Sequence, residues 1–284
     1  MTPGPNHSLR SHAAVAICLL ISGLLAWGCS TSNPAGPAAA ETFLVDAAGG
    51  GDFLTIQSAL NAASDGDTVL VAPGVYSGPG NRNLEFNGSS VVLRGMGQRD
   101  EVIIDCEGSG RGFYIDGNES PVIENLMVTG GDTIRGGGIY LEGASPVLRN
   151  VRFVENAASD DGGGLYCRNG SPALQDVLFD LNTAWVGGGM LCVNSSPALS
   201  RTVFYHNRSE GSGGGVACLF SALALSECVF SENWSVYGGA LYCGASDPSM
   251  SACTFVNNTG SEGSVMAADN GSSPSITHSI MAHN

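Results

Sequence analysis

A period of 25 or 26 residues runs through the second half of the chain and limits what it can become. Phenylalanine stands at Phe153, Phe179, Phe204, Phe230 and Phe255, with successive spacings of 26, 25, 26 and 25. An asparagine follows each one three residues later, at Asn156, Asn182, Asn207, Asn233 and Asn258. Glycine runs at 136–138, 162–164, 187–189, 213–215 and 238–239 keep the same step. A period in this range marks a solenoid, a propeller or another stacked array, because one unit cannot bury its apolar face without its neighbours.

Within each unit the apolar residues alternate. The glycines are followed by Ile139-Tyr140-Leu141, Leu165-Tyr166-Cys167, Met190-Leu191-Cys192, Val216-Ala217-Cys218 and Leu241-Tyr242-Cys243. The outer two of each triplet are aliphatic or cysteine, which is the period-two pattern of a strand with one buried face. Each unit is broken by its glycines, most also by a Pro, and the stretches between alternate with period two, so helical repeats are excluded. The leucine-rich spacing and the glycine/aspartate calcium-roll nonapeptide are not found. The fold expected is all-β, a parallel β-helix of about 25 residues per coil, right-handed as nearly all parallel crossovers are. Equivalent residues then stack about 4.8 Å apart. One column holds the phenylalanines, continued by Val128 and Met281. A second holds Cys167, Cys192, Cys218 and Cys243, read as small core residues. A third holds the asparagines, expected to take the left-handed turn conformation and to bond amide to amide.

The chain of 284 residues carries a formal charge of −15, only 13% charged residues and no lysine. A disordered chain would be more charged and less apolar. Nucleic acid is excluded as a partner, because no basic face exists to release counterions.

Residues 1–28 read as an export signal, with Arg10 ahead of an apolar run at 13–27 that is short for a membrane span. The run ends in Leu25-Ala26-Trp27-Gly28-Cys29, which resembles the lipobox of bacterial lipoproteins. That resemblance implies lipid on Cys29, a membrane anchor without a span, and an outer-membrane or cell-surface location, with the periplasm as the alternative. Trp27 and Ala26 depart from the usual lipobox residues. Residues 29–41 read as a flexible tether.

Residues 42–77 differ from the repeats. Ile56, Ala59, Leu60 and Ala63 have helical spacing and Thr55 is a natural N-cap. The run Gly51-Asp52-Phe53, Thr55-Ile56-Gln57, then Gly66-Asp67-Thr68-Val69 and Pro73-Gly74-Val75-Tyr76 resembles the start of pectin-lyase-like right-handed β-helix proteins, pectin methylesterases among them. The resemblance implies a helix that caps the first coil, whose edge and core would otherwise be open. Strands are expected at 90–93, 102–105, 112–115 and 122–128, with regular coils from about residue 112. The Gly-rich and Phe-x-x-Asn repeats also resemble those of chlamydial polymorphic outer-membrane proteins, which implies a surface-exposed, adhesive role. Asn284 stands at the asparagine position of a coil with no closing segment, so a longer protein or a partner is expected to cover that end.

Catalytic signatures of the β-helix enzymes are mostly missing. The paired-aspartate segment of pectin methylesterases is absent. Asp160-Asp161 matches one polygalacturonase motif without the other two, whereas glycosidic cleavage needs two carboxylates placed across one bond. Arg135, Arg149, Asp161 and Asp176 fall one coil apart and read as cross-coil ion pairs. The histidines have no metal or triad spacing, and calcium at the acidic turns has no ligand spacing behind it. No cofactor is expected. Two exposed features are expected to carry recognition of a polysaccharide or a surface protein. One is the outward column Tyr140, Tyr166 and Tyr242. The other is the turn between asparagine and glycines, with Asp160, Asp161, Trp185, Trp234 and Tyr237. The function expected is a non-catalytic surface protein for adhesion or polysaccharide binding. The alternative is a divergent carbohydrate-active enzyme, a lyase or a glycoside hydrolase.

Overall fold

A computed structural model describes residues 39–117 and 119–284. The signal segment, Cys29 and most of the tether lie outside the described residues. Three parallel sheets run the length of the coils, with 17, 7 and 6 strands. In a typical coil, Leu165–Arg168 belongs to the first sheet. Ala173–Gln175 and Leu178–Asp180 follow in the second, separated by a bend, and Thr183–Val186 completes the third. The segment between asparagine and glycines is thus a strand where a turn is expected. Its inward positions are Ala158, Ala184, Ser209 and Ser235, all buried. Residues this small alternate correctly but give little hydrophobic signal.

The columns form in register. Phe153 pairs with Phe179, Phe179 with Phe204, Phe204 with Phe230 and Phe230 with Phe255. The rings are fully buried and stack face to face, with centroids 5.1, 4.8, 4.8 and 5.0 Å apart. Val128 and Met281 continue the column at its two ends. The strand that follows the glycines pairs Cys167 with Cys192, Cys192 with Cys218 and Cys218 with Cys243, all buried.

The asparagine amides bond as a ladder. Asn156 Nδ2 donates to Asn182 Oδ1 at 3.1 Å, Asn182 to Asn207 at 2.9 Å and Asn207 to Asn233 at 3.0 Å. The same Nδ2 groups donate to a carbonyl of the phenylalanine column one coil earlier: Asn156 to Val128 at 3.1 Å, Asn182 to Phe153 and Asn207 to Phe179 both at 2.9 Å. The left-handed residue, however, is the one before each asparagine: Glu155, Leu181, His206, Glu232 and Asn257, with φ between 52° and 57°. The amide must point inward to bond along the axis, so the chain reverses one residue earlier. A second left-handed corner falls at Asn150, Asp176, Arg201, Glu227 and Ala252, in the bend of the second sheet.

The glycine runs follow from crowding. A Cβ on Gly188 would lie 2.4 Å from the Arg208 carbonyl oxygen and 2.7 Å from that of Gly214. The backbone of adjacent coils fills the space that a side chain would need.

Ahead of the regular coils, Ile56–Ala62 forms the one helix among the described residues, with Thr55 as N-cap accepting from Ser58 N. Ile56, Ala59 and Leu60 are buried where the helix meets strands Thr42–Val45 and Thr68–Val71. Strands follow at Val92–Gly95, two residues later than expected, and at Val102–Asp105, Phe113–Asp116 and Val122–Thr129. No helix among the described residues is long and apolar enough to cross a membrane.

Candidate functional site

The outer face of the third sheet carries Trp185, whose side chain is 59% exposed. It borders a shallow cavity of about 360 Å³ with Ser159, Thr183, Arg208 and Glu210 on its walls. Arg208 lies 3.8 Å above the Trp234 ring and is held there by its Nε bond to Glu210 at 2.9 Å. Trp234 is therefore half-buried, with one ring face taken by the guanidinium, and is not the free aromatic expected. Tyr237 is exposed. The arrangement offers one bare indole face, a charged rim and hydroxyls within one small depression. Such a face stacks on flat, amphipathic ring structures.

Asp160 and Asp161 do not form a reactive pair. Asp161 is held by Arg135 Nε at 2.8 Å, and that bond raises the arginine further above its ordinary value. Asp160 is exposed and accepts only from its neighbour Ser159 at 3.4 Å. The other expected ion pair is corrected. Arg149 binds Glu124 at 2.9 Å, opposite Arg94 at 2.7 Å, while Asp176 binds Arg201 at 2.7 Å. The left-handed bend turns Asp176 out of the Arg149 column. Asp176 is lowered by its Arg201 hydrogen bonds first, and such exposed pairs contribute about 1 kcal/mol or less.

The tyrosine column of the first sheet is less open than expected. Tyr114 stacks on Tyr140 at 5.2 Å and Tyr140 on Tyr166 at 5.1 Å. Arg111 covers the first two rings, at 5.6 and 5.0 Å, and Arg135 covers Tyr166 at 5.7 Å. The column continues through Leu191, Ala217 and Tyr242. Tyr166 is only 4% exposed, Leu191 and Ala217 are buried, and Tyr140 and Tyr242 are half-buried. Stacking and the apolar neighbours Val186, Val193 and Leu219 take up the ring faces. The Tyr242 hydroxyl donates to Asp269 at 2.6 Å and is pushed up to about 12, by burial first and then by that carboxylate.

A second cavity, also about 360 Å³, has Glu85, Asn87, Tyr114, Asp116 and Glu119 on its walls. Glu119 is buried, and Gly88 N–H donates to its Oε1. Burial, then the charges of Asp116 and Glu85, outweigh that bond and hold the carboxyl above its usual range. Sequence reasoning missed this site because it lies in the irregular coils. A signal was present: Glu119 stands where later coils carry Ala144, Gly170, Ser195, Ser221 and Ser246.

Among the described residues no three His, Cys, Asp or Glu side chains converge in a way that could hold a metal ion. His206 is half of an exposed pair with Glu232, at 2.6 Å.

The stacked columns, the three parallel sheets and the N-terminal helix define a parallel β-helix. Residues 97–259, more than half of the chain, match the family described as right handed beta helix region, and the chain belongs to that family. A comparison with curated proteins finds no match. Among solved structures, pectin methylesterase from carrot is similar over 84% of this chain and 82% of its own, with a TM-score of 0.50 and 11% identity. The Escherichia coli protein ybhC is similar over 87% and 86%, at the same TM-score and identity. Pectate lyase Pel9A matches over 86% and 79%, with a TM-score of 0.43 and 12% identity. At these identities the likeness is one of fold.

Proposed function

We propose that the protein is a non-catalytic polysaccharide-binding β-helix, exported and held at the cell surface by lipid on Cys29. The observation that carries the binding role is Trp185, bare on the third sheet beside a depression lined by Ser159, Thr183, Arg208 and Glu210. An indole face with a polar rim suits a sugar ring, which has an apolar face and hydroxyls at its edge. That a pectin methylesterase shares the fold is in keeping with a sugar polymer as partner. Affinity electrophoresis through gels containing different plant and bacterial polysaccharides tests the reading. At least one polymer retards the native chain, and Trp185→Ala weakens binding about tenfold, the equivalent of roughly 1.4 kcal/mol of lost stacking. Equal retardation of both forms removes the third sheet as the binding face, and no retardation by any polymer ends the proposal.

A second reading, a divergent carbohydrate-active enzyme, is favoured by the Glu119 cavity alone. There a buried carboxyl with a raised pKa shares a cavity with Asp116, and two carboxyls in unlike environments suit acid and base roles. Release of reducing ends or unsaturated uronate, lost in Glu119→Gln and kept in Asp161→Ala, would select this reading. Inert protein on every polymer it binds discards it.

A further inference from the structure

The cysteines are not scattered evenly along the solenoid. In the first sheet Cys218 is the register partner of Cys243. In the second sheet Cys228 and Cys253 are also one coil apart, adjoining the in-register pair Val229 and Thr254, and Thr254 N donates to the Cys228 carbonyl at 2.9 Å. Both pairs join the same two coils, residues 216–240 and 241–265. No other step has cysteine in both columns. The coil before carries Thr202 in the second column, and the coil after carries Ala268 and Ser279 at the two places. All four thiols point into the core and are at most 1% exposed.

We propose that these two thiol pairs are the sites of two disulfides that staple coil 241–265 to coil 216–240. In-register residues of parallel strands have Cα atoms about 4.8 Å apart, inside the window of about 4.4–6.8 Å that a disulfide spans. Their Cβ spacing exceeds the usual range by only a few tenths of an ångström. The step that joins Cys192 to Cys218 has no second thiol pair, because Thr202 stands in the column of Cys228 there.

Each closure joins two sulfur atoms and releases two protons and two electrons. A small-molecule or protein disulfide takes them up and is reduced to two thiols. In the closed core the thiols are protected. All four are at most 1% exposed and out of reach of an external disulfide. Exchange needs a thiolate to reach a disulfide sulfur, so the links form while the coils are closing, before the core is sealed.

The test is to refold the full chain from denaturant in a mixture of reduced and oxidised glutathione, then alkylate under denaturing conditions and map peptides by mass spectrometry. The expected product has lost four hydrogens through links 218–243 and 228–253, leaving Cys106, Cys167 and Cys192 as the alkylated thiols among the seven described. Its melting temperature falls by several degrees on adding dithiothreitol. Cys243→Ala loses the first link and keeps the second, and Cys253→Ala does the reverse. Free thiols at all seven described cysteines after oxidative refolding, glutathione adducts in place of links, or a different pairing would overturn the proposal; the wild-type map decides this even if a variant does not fold.

Discussion

A single asparagine shows how a repeat residue is chosen. Asn207 accepts from Asn182 N and Nδ2 at 3.1 and 2.9 Å and donates to Phe179 O and Asn233 Oδ1 at 2.9 and 3.0 Å. Asn207→Ala leaves several buried partners unmet, so chemical denaturation should show a loss of about 3 kcal/mol. The same change at Asn284, which is exposed, should cost under about 1 kcal/mol. One position earlier the reasoning reverses. Leu181 holds φ 56° with 44% of its surface exposed, a conformation that costs an ordinary side chain about 1–2 kcal/mol and asparagine less. Leu181→Asn should therefore raise stability by about 0.5–1 kcal/mol. Glu119 gives a pH prediction. Its folded pKa is raised, by burial first, so the stability it contributes is present below its unfolded pKa and is lost as pH rises through the folded value. Glu119→Gln stays neutral and keeps the acceptor for Gly88. Melting curves should show the variant more stable than the parent at pH 7, with the difference vanishing below about pH 4.

At the scale of the strand, the phenylalanine stack and the glycine run depend on one another. The third glycine of a run lies against the ring of its own unit: a Cβ on Gly189 would meet Phe204 Cδ1 at 2.9 Å and the Gly215 carbonyl oxygen at 2.5 Å. Large side chains on one wall require none on the facing wall. Phe204→Ala opens a cavity between Phe179 and Phe230, and equilibrium unfolding should report a loss of about 3–5 kcal/mol. Both features were legible in the sequence, because each repeats one residue type at a constant step over several coils. The third sheet was not legible. Its inward Ala158, Ala184, Ser209 and Ser235 look like a turn until the neighbouring coils are there to pair with them.

Along the coils each one touches only its neighbours, so stability is a sum of local steps and the least buried coils open first. Ile276, Ile280 and Met281 are exposed on the last coil, whereas Phe204 and Phe230 in the middle are sealed. Hydrogen exchange should find the slowest amides in coils 139–240 and progressively faster ones from Met266 to Asn284. Uniform protection along the chain would contradict this one-dimensional picture. The candidate site divides in the same way. Trp185 was recognisable as an aromatic at an outward position. The shielding of Trp234 by Arg208 and the burial of Tyr166 depend on which side chains adjoining coils bring alongside.

The spacing of Phe, Asn and Gly by itself determined the parallel β-helix, its pitch and its internal columns, because a constant step forces like residues over like and only one winding buries them all. Tertiary structure alone decided which outward side chains remain free. Exposure on a stacked face is set by neighbours 25 residues away in the chain and about 4.8 Å away in space, and no local pattern records whether such a neighbour is an arginine lying over a ring, a carboxylate taking a hydroxyl, or a small residue that leaves the face bare.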